Sequence, residues 1–250
     1  MICSIFLFLY LTPNETLAAA TQQKLIKTYY EDVTGDGLKE RIELFGVLFS
    51  QNTNYYKDIF IKITSKTDEW KIYYGGGYSP KLQFIDLNHD RVNDVFFQSY
   101  ADKQERLHYT QINTVKHGDI QDIPLPSQHI TGKFKDDFKL ELRITPLEPQ
   151  IIDVSDYKRD YIRLDIYNKE EKLLKRNMVP LIDPIAFFEP ISIHQEKGFG
   201  LKSLQHVKGA HQDNHLGTIE TLWFFENESW IILKTTWKSK PNVTINNVFN

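Results

Sequence analysis

"DVTGDGLKERIEL", residues 32–44, is the stretch on which the reading of this chain turns. Acids fall at Asp32, Asp36 and Glu40, in four-residue steps around a Gly-Asp-Gly turn, and an alternating apolar pattern follows at once. The same spacing returns in "DLNHDRVND", residues 86–94, with Asp86, Asp90 and Asp94. The copies begin 54 residues apart, the size of a small sheet unit rather than of a heptad or a short helical repeat.

Working outward, the chain between the copies has period two. Ile59, Ile61 and Ile63 alternate with Phe60, Lys62 and Thr64, and Trp70, Ile72 and Tyr74 alternate with Lys71 and Tyr73, so two strands form a hairpin across "KTDE". Leu82 and Phe84 lead into the second loop, Val95 and Phe97 lead away, and "RLHYTQINTV" continues as a strand. Each loop therefore joins two strands. The second half reads the same way in "DFKLELRIT", "DYIRLDIYN", "TIETLWFF" and "SWIILKTTW". Short helices are expected only at "EEKLLKRNM" and "GLKSLQHV". The expectation is an all-β fold of antiparallel, blade-like sheets, a partial or small β-propeller with a divergent C-terminal half.

Composition bounds the function. With 250 residues, 41% hydrophobic and 13% aromatic, the chain can build a packed core, and a net charge of −3 offers no footprint for nucleic acid. "ICSIFLFLYL" followed by Ala18, Ala19 and Ala20 reads as a secretory signal over residues 1–20, although no Lys or Arg precedes the apolar run. About ten apolar residues are too few to span a bilayer, so no transmembrane anchor is expected after cleavage, and a secreted or cell-surface location follows. Cys3, the one cysteine, falls inside that signal and leaves the mature chain without a disulfide or a thiolate ligand. The seam at "DIPLPSQHITG", residues 122–132, separates a repeat region, 21–130, from a C-terminal region, 131–250, that can equally be part of one domain.

The loops have the donors of a hard-cation site. Ca²⁺ takes about six to eight oxygens at roughly 2.3–2.6 Å, and a loop supplies them from alternate side chains and a backbone carbonyl. Counting from the first acid, positions one, three, five and nine are Asp32, Thr34, Asp36 and Glu40, with the Leu38 carbonyl at seven. The second copy gives Asp86, Asn88, Asp90 and Asp94, with the Val92 carbonyl at seven. Gly35 and Gly37 suit a tight reversal, whereas His89 and Arg91 stand in their places in copy two and make it the weaker site. Glu43 falls at a twelfth position but belongs to the strand pattern. Against the calcium reading stands the plain one, in which Asp and Gly populate tight turns and Asp bonds its own backbone. The recurrence of oxygen-bearing residues at four matched positions favours a structural Ca²⁺.

These residues carry a family resemblance. "DVTGDGLKERIEL" and "DLNHDRVNDVFF" resemble the Asp-rich loops of secreted VCBS and FG-GAP repeat proteins, and "GLKSLQHVKGAHQDNHLGTIETLWFFENESWIILKT" is similar to the C-terminal part of Bacillus-type secreted proteins with such repeats. The resemblance implies propeller-like blades, calcium held between strands and a non-catalytic binding or structural role toward an extracellular or cell-envelope ligand. It also implies a third loop, for which "SIHQEKGFG", residues 192–200, offers only Ser192, His194 and Glu196.

Two other constellations stand out. His206, His211, Asp213 and His215 lie within ten residues and could hold a transition metal, or simply form a polar loop rich in Gly and Asn. "YYGGGYSP", with Gly75, Gly76 and Gly77 among tyrosines, fits a ligand platform or a close backbone approach. Neither GxSxG nor HExxH occurs. The alternatives to a binding protein are a secreted metal-dependent hydrolase of cell-wall material, centred on the histidines, and a spore or envelope-layer component.

Overall fold

A computed structural model describes residues 23–104, 107–116, 118–146, 149–194 and 197–240. The expected signal, with Cys3, lies outside the described residues. Eight strands form the first sheet: β1 (Gln23–Glu31), β2 (Glu40–Leu48), β3 (Tyr55–Thr64), β4 (Glu69–Tyr74), β5 (Gly77–Ile85), β6 (Asp94–Tyr100), β7 (His108–Lys116) and β8 (Asp119–Ile123). A three-stranded sheet follows, of β9 (Thr131–Lys135), β10 (Lys139–Arg143) and β11 (Gln150–Asp153). After α1 (Lys158–Arg163) come β12 (Leu181–His194), β13 (Gly198–Lys208), β14 (His215–Glu226) and β15 (Ser229–Ser239), a four-stranded meander. All pairings are antiparallel. The all-β expectation is met.

The 54-residue spacing is the spacing of a meander. β1 and β5 begin that far apart, as do β2 and β6, and each acidic loop joins the first two strands of its own four-strand run. The propeller expectation, however, is corrected: none of the sheets closes into a barrel or a propeller. The reason is backbone pairing between the two runs, because Tyr55 and Tyr56 of β3 pair with Tyr78 and Gly77 of β5 and make one sheet of them. That junction needs the glycines. A Cβ on Gly76 would stand 2.6 Å from the Tyr55 hydroxyl oxygen, and one on Gly77 would collide with Ser99. Gly76 and Gly77 thus serve close approach, whereas a Cβ on Gly75 would meet nothing within 4 Å.

Apolar alternation supplies the cores. Ile59, Ile61 and Ile63 are wholly buried and share a cluster with Val33, Ile42, Leu44, Val95, Phe97 and Val115, so strands of both runs face one interior. Side chains of this kind contribute roughly 1.5–3 kcal/mol each on burial. A second cluster joins Leu87, Phe96 and Ile112 to Phe188, Leu201, Trp223 and Phe225 of the last sheet. A third holds β9 and β10 to α1 and to Val207 and Ile219. Leu201 and Val207 share a parity on β13, as Ile219 and Trp223 do on β14, so one face of the last sheet serves both clusters, toward opposite ends.

Three local expectations are corrected. "DYIRLDIYN" is not a strand: α1 takes its first four residues and turns follow, and Tyr157 and Tyr161, four residues apart, stack with ring centroids 5.9 Å apart. "GLKSLQHV" is not a helix but β13, held between two neighbours whose pairing overrides its propensity. "EEKLLKRNM" is turns, in which Asn168 Oδ1 and Asp136 Oδ1 accept the N–H groups of Lys172 and Leu173.

Candidate functional site

The two acidic loops have one hydrogen-bond frame. In the first, the Asp32 carboxylate accepts the N–H groups of Gly35 at 2.7 Å and Gly37 at 2.8 Å, Asp36 Oδ1 accepts that of Leu38 at 2.7 Å, and Glu40 Oε2 accepts that of Val33 at 2.9 Å. In the second, the Asp86 carboxylate accepts from Asp90 and Arg91, Asp90 Oδ1 from Val92, and Asp94 Oδ2 from Leu87 at 2.8 Å. Val33 and Leu87, each following the first acid, are wholly buried and pin their loops to the core. The apolar residue at position two was a repeat signal available in the sequence beside the acids.

Backbone torsions complete the match. Gly35 and Gly37 have φ of +77° and +82°, and His89 and Arg91 repeat this with +62° and +72°. Copy two therefore does enter the left-handed region without glycine, at a cost of about 1–2 kcal/mol per residue. Tertiary bonds offset it. His89 Nδ1 lies 2.9 Å from the Phe225 carbonyl oxygen, Nε2 lies 2.8 Å from that of Phe199, and the ring stacks on Phe224 at 4.3 Å. The loops also touch each other, since a Cβ on Gly35 would stand 2.6 Å from Val92 Cγ2.

Where the loops diverge is in their acids. Asp32, Asp36 and Glu40 each bring one carboxylate oxygen to within 4.8 Å of the others, the one such cluster of three acids or other metal-ligating side chains among the described residues. Two oxygens bound to one Ca²⁺ can be at most about 5 Å apart, so the first loop fits a hard cation, and the absence of nitrogen or sulfur donors in the set argues against Zn²⁺. Among the described residues no lysine or arginine pairs with these three acids. In the second loop Lys116 Nζ reaches Asp90 Oδ2 at 3.1 Å, placing an ammonium where a cation would bind. Asp94 is wholly buried and its Oδ1 has no hydrogen-bond partner. Burial pushes its pKa up to about 7, against the pull of the Leu87 and Asn88 N–H groups.

The remaining expected ligands are arranged as follows. Thr34 donates to Glu40 Oε1 at 3.3 Å, and Asn88 Oδ1 accepts from the Asp90 N–H at 3.0 Å. Leu38 and Val92 donate their own N–H groups to Asp36 and Asp90, and the Leu38 side chain is exposed. Glu43 belongs to β2 and pairs with Arg41. Of the third stretch, Ser192 and His194 end β12, before β13 in the last meander, and Lys197 N–H bonds the His194 carbonyl; Glu196 lies outside the described residues.

The histidine constellation divides. His206 on β13 and His215 on β14 meet edge to face at 5.3 Å, while the exposed His211 pairs with the still more exposed Asp213 in the turn between them. The four do not gather around one point, which weakens the transition-metal reading. His206 and His215 instead line a cleft of about 610 Å³. A smaller depression of about 310 Å³ borders Gly75 and Gly76, with Tyr55 and Tyr109 on its wall.

Comparison with known proteins finds one region of kinship. Residues 128–238 match the family model described as the YybI C-terminal domain. The match begins in the connection between β8 and β9 and takes in the last two sheets and α1. No VCBS or FG-GAP family is found, so the family resemblance drawn from the loops is overturned. Its motifs are acids spaced around a turn, and the shared hydrogen bonds show that such spacing already serves the turn's own backbone. No curated protein and no solved structure gives a significant match. No helix among the described residues is long and apolar enough to cross a membrane.

Proposed function

We propose that the protein is a non-catalytic binding protein whose first acidic loop, Asp32 to Glu40, takes a Ca²⁺ that fixes the β1–β2 connection. The convergence of Asp32, Asp36 and Glu40 within 4.8 Å, with no lysine or arginine ion-paired to them among the described residues, carries this reading. Asp32, Asp36 and Glu40 would hold the ion, with Thr34 and the Leu38 carbonyl completing the oxygen set. The ion supplies charge neutralisation and a fixed loop. Asp86, Asn88, Asp90, Asp94 and Val92 keep the same frame, with Lys116 as the cation. Export to a calcium-rich, extracellular or envelope setting agrees with a weak site, of roughly 10⁻⁴ to 10⁻³ M, being filled there. The hydrolase alternative has less support, because His211 and Asp213 stand away from His206 and His215.

Thermal unfolding of the full chain in chelator, Mg²⁺ and Ca²⁺ tests this. At about ten times Kd, Ca²⁺ should stabilise by roughly 1.4 kcal/mol, a rise of about 3–6 °C. The rise should vanish in Asp36→Asn and persist in Asp90→Asn. An equal response to Mg²⁺, or none to Ca²⁺, would reject the reading.

A further inference from the structure

The face of β13 that turns away from the shared core carries Leu204, His206 and Lys208, by strand parity with Leu201 and Val207. This face forms one wall of the 610 Å³ cleft, a volume within the range of small-molecule sites. β12 extends this face, since Phe187 pairs with Leu204, and Asp102, Leu107 and His108 border the cleft from the other side. Here β12 is irregular, with register shifts on both sides of Ile185, and bulges of this kind redirect side chains beside binding sites. Pro184, Phe187 and Leu204 give the cleft an apolar body, and the Phe187 ring is backed by His108 at 5.3 Å.

One end is polar. His206 Nδ1 lies 3.1 Å from Thr218 Oγ1, which leaves Nε2 without a protein partner, and neither ring nitrogen of His215 has one among the described residues. Asp183 is neutralised by Lys208 at 2.7 Å, and Glu220, next to that face, by Lys238 at 2.7 Å. Burial holds the His215 pKa below the ordinary histidine value, and His206, Lys240 and Lys208 push it the same way, against Asp183 alone. The field at that end therefore favours an anion. Asp102 and His108 lie on the far wall.

We propose that this cleft binds a small organic carboxylate, its apolar body on Phe187 and Leu204 and its carboxylate toward His206 and His215. The site is independent of the cation loop. Ligands of about ten heavy atoms at common efficiencies bind with Kd near 1 mM or below.

The test uses the full chain in Ca²⁺, with 3-phenylpropionate as probe and 3-phenylpropionamide as its neutral counterpart, followed by the histidine side-chain NMR signals. Saturable binding of the acid, at least tenfold weaker binding of the amide, and proton uptake by His215 are expected. Leu204→Trp, which fills the cleft, should abolish binding while circular dichroism remains unchanged. His215→Gln should weaken the acid about tenfold and leave the amide unaffected. Absence of saturation up to about 10 mM, equal binding of acid and amide, or binding undiminished in both variants would overturn the proposal.

Discussion

The Nδ1 of His89 lies 2.9 Å from the carbonyl oxygen of Phe225, so a loop residue at φ +62° is bonded to the C-terminal end of β14 in the last sheet. Together with the Nε2 contact to Phe199 and the stacking on Phe224, this makes His89 the residue that ties the second acidic loop to that sheet.

Replacing His89 with alanine keeps the backbone strain and removes both bonds and the stack. A loss of about 2–3 kcal/mol in urea unfolding is expected. His89→Gly removes the same contacts but relieves the left-handed strain, so it should be less damaging than alanine by about 1 kcal/mol. Equal losses would mean that the loop relaxes out of its torsion once the ring is gone.

The contact between the two loops separates Gly35 from Gly37. Both have positive φ, yet a Cβ on Gly37 meets nothing within 4 Å, whereas one on Gly35 meets Val92 at 2.6 Å. Gly37→Ala should cost about 1 kcal/mol, from torsion alone. Gly35→Ala should cost a further 1–3 kcal/mol, and Val92→Ala in that background should recover part of it. Absence of coupling in the double mutant would show that the loops are not packed as described.

Alkaline pH should loosen the C-terminal core. Tyr161 is wholly buried, and burial pushes its pKa up to about 12; burial also raises that of Tyr167, whose hydroxyl donates to the Lys135 carbonyl. The unfolded chain releases these protons near pH 10 while the folded chain keeps them. Unfolding then gains a proton-release term, and stability falls as pH rises from about 10 toward 12. Tyr161→Phe should flatten that part of the stability curve, and absorbance at the tyrosinate band should show the two rings ionising late. Ordinary titration of all tyrosines would contradict the burial.

Much of the fold was legible because sheet formation here follows the plain alternation of Ile59, Ile61 and Ile63, and because acids at equal spacing marked the duplicated connection. That the sheets do not form a propeller was not legible, since it turned on whether Tyr55 and Tyr56 pair with Tyr78 and Gly77, a contact that no local pattern announces. α1 was missed because Tyr161 satisfies a strand alternation and a helical turn equally well over so short a stretch. At the site, the candidate ligands of both loops could be named in advance. The difference between them could not, because Lys116 reaches Asp90 from a strand 26 residues away. His206 and His215 likewise become a pair only when β13 and β14 are set side by side.

A calorimetric titration of the chelator-stripped full chain with Ca²⁺ tests the central claim most directly. The account predicts one Ca²⁺ per chain, lost in Asp32→Asn and retained in Asp86→Asn. Two ions per chain, none, or one that survives Asp32→Asn and disappears in Asp86→Asn would contradict it.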